Sequence, residues 1–323
     1  MINKRVILAI FIILIFLVSC KAQGQSAFRK GKTPQKVEFR TGIDALVLNF
    51  LEQSFTRLYE GDEIRMLVEI QNKGTYPQPE ERGSLRGRIW VGGFDTNILE
   101  LSPEDGPNLD DRTLEGKSPI NLEGGRSPIL FIGNVFTLPS GTTSYKLPIV
   151  ITATYLYKTV TSPIVCVDPN PRSANIREKV CDIGKFGNIA LSGGQGAPIV
   201  VSRVEEEVTS GSIIFRIEIQ NSGKGLVINE NDIARDPNAG YDWRDLNLVE
   251  IEEISVGNQD ILDCKPSVGE FVRLINNKGF IICRLRTTGI NSVYTTPMNI
   301  KLRYGYSSSI RKEIDVVNDI GFG

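Results

Sequence analysis

The segment Asp236-Pro237-Asn238-Ala239-Gly240-Tyr241-Asp242 places oxygen-bearing side chains at alternate positions around a glycine. A hard cation such as Ca²⁺ takes donors of this type and spacing, so Asp236, Asn238 and Asp242 are candidate calcium ligands, set against the plainer reading of a solvated turn. The loop lacks the later bidentate glutamate of an EF-hand. No other cofactor is expected. In the same loop Tyr241 and Trp243 are candidate ligand contacts, because an aromatic ring on a polar loop can stack on a sugar or anchor a protein partner. One of two such rings more often folds back over the core. Further carboxylates stand at Glu104, Asp105, Asp110 and Asp111, at Asp232 and Asp245, and in the run Glu205-Glu206-Glu207. Two facing carboxylates could hydrolyse a glycoside, but adjacent glutamates on a strand point to opposite faces, and the run reads as an exposed edge that resists sheet-to-sheet association. No histidine occurs anywhere in the chain, which removes Ser-His-Asp and Cys-His nucleophiles and the imidazole ligands of catalytic zinc. Neither a Gly-rich phosphate loop, a G-x-S-x-G elbow nor an H-E-x-x-H motif is present. The expectation is a protein without enzymatic activity.

The elements that must hold these loops come from an internal repeat. Glu69-Ile70-Gln71-Asn72-Lys73-Gly74 matches Glu218-Ile219-Gln220-Asn221-Ser222-Gly223 at a shift of 149 positions. At the same shift Phe131-Ile132 matches Phe280-Ile281, Tyr145 matches Tyr294, Pro148 matches Pro297, and Tyr155 and Tyr157 match Tyr304 and Tyr306. This period suits a whole domain and is too long for a solenoid unit. Within each copy the matched segments alternate with period two: Ile64, Met66, Val68 and Ile70 against Arg65, Glu69 and Gln71, and Ile213, Phe215, Ile217 and Ile219 against Arg216, Glu218 and Gln220. Such alternation predicts half-buried strands. The tyrosines share one face in both copies and are expected in the core with their hydroxyls bonded near the sandwich edge. Trp90, in Arg88-Ile89-Trp90-Val91, is expected to be core or half-buried. Each Asn-x-Gly is read as a chain reversal that uses positive φ.

Short strands between Gly, Pro, Asn and Asp turns predict an all-β chain of two tandem Ig-like antiparallel β-sandwich domains, at 37–165 and 198–318, with a tail at 319–323. A strand running into N-x-G, then a long loop and a Tyr-containing strand, resembles the Ig-like surface domains of the CARDB and archaeal S-layer-type families. That resemblance implies fold and surface location and supplies no catalytic residues. Residues 166–197 are expected to be a disulfide-pinned loop followed by a Gly-rich flexible hinge from Gly184 to Pro198.

Asn3, Lys4 and Arg5 precede an unbroken apolar run from Val6 to Val18. This is the pattern of an export signal, too short for a membrane-spanning helix. Leu17-Val18-Ser19-Cys20 resembles the lipobox of prokaryotic lipoproteins, which makes Cys20 the candidate lipid anchor, residues 1–20 the signal peptide and 21–36 a basic flexible tether able to lie along anionic headgroups. The remaining Cys166, Cys181, Cys264 and Cys283 are even in number, as two disulfides require in an oxidising compartment. Of three connectivities, Cys166 with Cys181 and Cys264 with Cys283 is preferred. Each would restrict the unfolded chain by about 3 kcal/mol. A four-cysteine zinc site would need closer ligand pairs.

The 323 residues carry 37 Lys plus Arg against 38 Asp plus Glu, a net charge of −1, so the basic stripe needed for a nucleic-acid partner is missing. No Asn-x-Ser/Thr acceptor occurs, which speaks against a heavily N-glycosylated lattice. Together these features predict a non-catalytic surface protein, exported and anchored to the outer face of a cell membrane, that binds an unknown surface protein or glycan. The alternatives are an exported carbohydrate-binding module or glycosidase, and a structural subunit of an envelope assembly.

Overall fold

Alternation of buried and exposed side chains sets the strands. Ile64, Met66, Val68 and Ile70 are buried while Arg65 is exposed, and Ile213, Phe215, Ile217 and Ile219 repeat the pattern around exposed Arg216. The computed structural model describes residues 38–51, 56–78, 85–102, 107–170, 180–183, 187–257, 259–260 and 263–318. The expected signal peptide at 1–20 with Cys20, the expected tether at 21–36, Glu104, Asp105 and the tail at 319–323 lie outside the described residues. Copy one contributes β1 (Leu46–Phe50), β2 (Arg57–Tyr59), β3 (Glu63–Asn72), β4 (Gly87–Gly92), β5 (Leu99–Ser102), β6 (Arg126–Val135), β7 (Ser144–Thr161) and β8 (Ile164–Val167). Then follow β9 (Asn188–Ala190), β10 (Ile199–Thr209), β11 (Ser212–Asn221), β12 (Leu226–Ile228), β13 (Leu248–Val256), β14 (Gln259–Asp260), β15 (Asp263–Lys265), β16 (Phe271–Arg273), β17 (Lys278–Arg286) and β18 (Tyr294–Val317).

The protein is all-β, with sheets that are antiparallel apart from the β2–β18 pair. A four-stranded sheet β1-β3-β6-β5 belongs to copy one and a five-stranded sheet β15-β17-β11-β10-β9 to copy two. The third sheet, β14-β13-β18-β7-β4 with shorter strands alongside, belongs to both. Its centre is the ladder of β18 on β7, running from Val317 opposite Ser144 to Ile300 opposite Thr161 and continuing onto β8, where Tyr294 faces Val167. At the middle Leu156 faces Gly305. These two residues are 149 positions apart, the period of the repeat, so each copy presents the same strand to the other in a self-complementary register, as an isologous dimer interface does. The expected hinge between two jointed sandwiches is thereby corrected: residues 38–323 cluster as one unit with one continuous apolar core. Where flexibility was expected, the Gly42 amide donates to the Gly193 carbonyl, the Gly196 amide to Gly42 and the Thr75 amide to Gly196. Gln195 is buried between them, bonded in both directions to Val201.

Tyr155, Tyr157, Tyr304 and Tyr306 meet where the two copies join, with ring centroids 5.8 to 6.4 Å apart around the square. Their hydroxyls are bonded at the molecule's centre rather than at a sandwich edge. The Tyr157 hydroxyl donates to Asn72 Oδ1 (3.1 Å) and accepts from the Tyr76 amide. By the same geometry the Tyr306 hydroxyl donates to Asn221 Oδ1 (3.2 Å) and accepts from the Gly225 amide. Burial holds all four phenols above their ordinary pKa, that of Tyr306 at about 12. This changes the meaning of Asn-x-Gly. Neither Gly74 nor Gly223 has a positive φ; each is glycine because a Cβ there would overlap the hydroxyl of Tyr157 or Tyr306. The Phe131-Ile132 match with Phe280-Ile281 is likewise corrected. Phe131 faces Met66 across its ladder and is buried, whereas the residue opposite Phe215, the equivalent of Met66, is Cys283. Phe280 is exposed, since an odd offset turns a strand residue to the opposite face.

Both disulfides pair as expected, Cys166 with Cys181 and Cys264 with Cys283. The glutamate run differs from its expectation. Glu207 is exposed, but Glu206 is 7% exposed, because β10 is covered at that point by the Gly187 carbonyl, which accepts from the Glu206 amide, and by β8. One carboxylate oxygen accepts from the Cys166 amide (3.2 Å) and the other has no partner. Burial raises this carboxyl from 4.5 to about 7. A raised carboxyl pKa favours the protonated native state, so its contribution is complete below about pH 4.5 and is lost as pH rises through 7. Glu206→Gln is therefore expected to match the parent near pH 4 and to exceed it by about 2 kcal/mol at pH 8. Urea midpoints across that range test this, and equal pH slopes for the two proteins would refute it.

Candidate functional site

Copy two departs most from copy one between β12 and β13. These strands lie end to end along β18, covering its residues 305–307 and 298–303, in the place that the single strand β4 takes along β7. The excursion between them, residues 229–247, carries two short 3₁₀ turns, Glu230–Asp232 and Pro237–Ala239, started by Asn229 and Asp236, whose side chains accept from the amides two residues on. Ile233, Tyr241 and Leu246 of this loop pack with Ile228 on Leu156, at the centre of the shared ladder. The hold is also polar: Trp90 Nε1 donates to Thr154 Oγ1 (2.9 Å), which donates to the Ile233 carbonyl (2.7 Å). Thr154 is consequently buried, and Trp90 is 7% exposed as its strand context predicts.

Past Trp90 the loop and copy one part to leave a cleft of about 780 Å³. It lies at the open side of copy one's sandwich, between β4, which ends the shared sheet, and β5, which ends the four-stranded sheet. Trp90, Phe94, Leu99, Leu101 and Phe136 give it apolar walls; Glu100, Asp236 and Asn238 give it acceptors; among the described residues no Lys or Arg lines it. The Asn238 side chain sits close over Gly92, where a Cβ would meet its Nδ2 at 2.9 Å. In copy two the corresponding opening is closed, because β16 and β14 pair with β13 along the edge away from β18.

The residues singled out in the sequence are divided by this geometry. Asp236 and Asn238 line the cleft, while Asp242 is turned to Arg244, accepting from its amide, Nε and Nη2. Those hydrogen bonds hold the Asp242 carboxyl at about 2. Of the three expected calcium ligands, Asp236 Oδ1 accepts from the Asn238 amide and Asp242 pairs with Arg244, and among the described residues no group of three or more acidic or cysteine side chains is placed to hold a metal. Tyr241 is half-buried in the cluster on Leu156, and burial raises its hydroxyl pKa. Trp243 is 74% exposed and is the loop's free aromatic surface. Asp110 accepts from the Gly87 amide (2.9 Å), which sets the start of β4. Glu100, Phe94 and Phe136 were not singled out in the sequence; only the pairing order of the strands shows that β4 and β5 are edges facing each other.

No family model matches this chain, and no curated protein matches it. Solved structures found alongside it include the sialic acid binding region of a Streptococcus sanguinis SK1 adhesin bound to 3'sLn, at 12% identity, covering 86% of this chain and 79% of that one, with a TM-score of 0.21. A second is the C-terminal domain of the Streptococcus agalactiae AgI/II polypeptide BspA, at 9% identity, 84% and 99% coverage and a TM-score of 0.17. A third is the collagen binding domain of the Erysipelothrix rhusiopathiae surface protein RspB, at 8% identity, 87% and 94% coverage and a TM-score of 0.15. Identities and scores this low carry no property of those proteins to this chain. Among the described residues no helix is long and apolar enough to cross a membrane.

Proposed function

We propose that this chain is an exported, surface-tethered protein that acts by binding, with the cleft between β4, β5 and the 229–247 loop as its binding site. The observation that carries the reading is the placement of the loop. The 229–247 excursion, where copy two departs most from copy one, is spent on walling an apolar cleft, and loops held on a rigid sandwich are where binding function concentrates. Export is supported by the basic residues and apolar run before Cys20 and by the two disulfides. The lipid at Cys20 and the Ig-like surface family belong to the same reading.

A second reading is favoured by Glu100 and Asp236, two carboxylates on one cleft, which glycoside hydrolysis would use. A glycan array probed with the full chain, its Phe136→Ala and Trp243→Ala variants, and an assay for released reducing ends separates the possibilities. Binding without turnover that falls about tenfold in Phe136→Ala, the loss of one well-buried aromatic contact, supports a binding cleft. Reducing ends released by the parent and not by Glu100→Gln support hydrolysis.

A further inference from the structure

The backbone of β4 states what kind of ligand the cleft is built for. Along this strand the even-numbered residues bond to β7, as the Leu156 amide does to the Arg86 carbonyl (2.9 Å). Odd-numbered residues face away: the Ile89 amide donates to the Pro107 carbonyl (3.3 Å) and the Gly87 carbonyl accepts from the Leu109 amide (2.9 Å), so residues 107–109 cover the first half of this edge. Val91 is next in the alternation. Its N–H and C=O point into the seam, and among the described residues neither has a backbone partner. Among the described residues no strand pairs with β4 on this side beside Val91, and an unpaired edge is a template for another strand.

We propose that the cleft binds an extended peptide bearing a basic side chain, which adds to β4 as a strand beside Val91; this rests on the cleft being the binding site. In a paired strand successive side chains point to opposite sides. One row would meet Phe136, which is exposed over the buried β5 leucines, and the other would meet Asp236 and Asn238. Lys or Arg suits this lining because, among the described residues, its charged groups are the carboxylates of Glu100 and Asp236. Glu100 is exposed and makes no ion pair among the described residues. A sugar fits less well: stacking needs an exposed ring face, while Trp90 is 7% exposed and committed to Thr154, leaving Phe136 and Phe94. Main-chain pairing with pockets for alternate side chains is the recognised physics of strand addition.

The test pans random nonapeptides displayed on phage against the full chain, then measures the enriched sequences as synthetic peptides. Enrichment of Lys or Arg at alternate positions is expected. Val91→Pro removes the outward N–H alone, a position on an edge strand where proline is tolerated, and should weaken binding about tenfold, the cost of a main-chain hydrogen bond with its partner left unmet. N-methylation of the peptide at alternate residues should do the same without altering the protein, and Glu100→Gln should weaken it about threefold. Failure to enrich any peptide, or affinity unchanged by both Val91→Pro and N-methylation, overturns the peptide proposal. If sugar binding is then lost in Phe136→Ala, the cleft stands as the site and only its ligand class is wrong. If no cleft variant alters any binding, both readings fall.

Discussion

Gly74→Ala is expected to destabilise the fold by about 3–5 kcal/mol, combining the cost of overpacking a close-packed core with the loss of a buried hydroxyl's partners. The added Cβ would overlap the Tyr157 hydroxyl and lie 2.5 Å from the Gly196 carbonyl oxygen and 2.8 Å from that of Asp44. Two of these three obstacles are backbone, so a second change at Tyr157 cannot relieve the strain. Copy two offers the contrast. At Gly223 the obstacles are the Tyr306 hydroxyl and the Pro198 Cβ, 2.6 Å away. Gly223→Ala should therefore also destabilise, yet recover part of its loss, about 1 kcal/mol, when combined with Tyr306→Phe, whereas Gly74→Ala with Tyr157→Phe should recover almost nothing. Denaturant midpoints at unchanged slope measure both pairs. Equal recovery in the two copies would show that the hydroxyls, and not the backbone at residue 196, decide the cost.

The fragment 38–167 is expected to be a dimer in solution, with no folded monomer detectable by sedimentation at micromolar concentration. Removing copy two strips β7 of its partner over 18 residues and β8 of its partner over four. It also leaves β7 with a long edge of unpaired backbone groups, a surface that invites association. The register supplies the replacement. Because Leu156 faces its own equivalent, Gly305, a second β7 can lie antiparallel on the first with Leu156 at the centre and Tyr155 opposite Tyr157, reproducing the tyrosine cluster. A folded monomer, or a dimer whose disulfide-trapping pattern centres elsewhere than residue 156, would disprove the self-complementary ladder. In such a dimer no 229–247 loop covers Leu156, so the fragment should also bind ANS where the full chain does not.

Much of this architecture could be read before the coordinates, and the parts that could not share a cause. Strand identity follows from local alternation, which is why Ile64 to Ile70 and Ile213 to Ile219 were placed on the correct faces. The disulfide pairs followed from parity and nearness. Register between distant strands leaves no comparable local mark. The constant shift of 149 spoke for duplication, but Phe131-Ile132 met Phe280-Ile281 by coincidence, and only the ladders show that Cys283 takes the place of Phe131. Glycines between 184 and 198 read as a hinge because composition carries no information about the Gly42 and Thr75 groups that bind them. The pattern of alternating oxygen side chains at 236–242 likewise does not tell that Arg244, two residues past Asp242, pairs with that carboxylate. At the cleft the sequence singles out the 236–243 loop but not the opposite wall, since Glu100 and Phe136 become its neighbours only through the order of strands.

Fusing two equivalent modules into one polypeptide frees each to diverge alone. In a true homodimer every substitution is made twice, so a mouth opened on one half must open on the other. Here β16 seals the second mouth while the first stays open. For a cleft that binds as proposed, the stoichiometry is one guest per chain, engaged from one side, on a scaffold whose central strands are nearly two-fold symmetric.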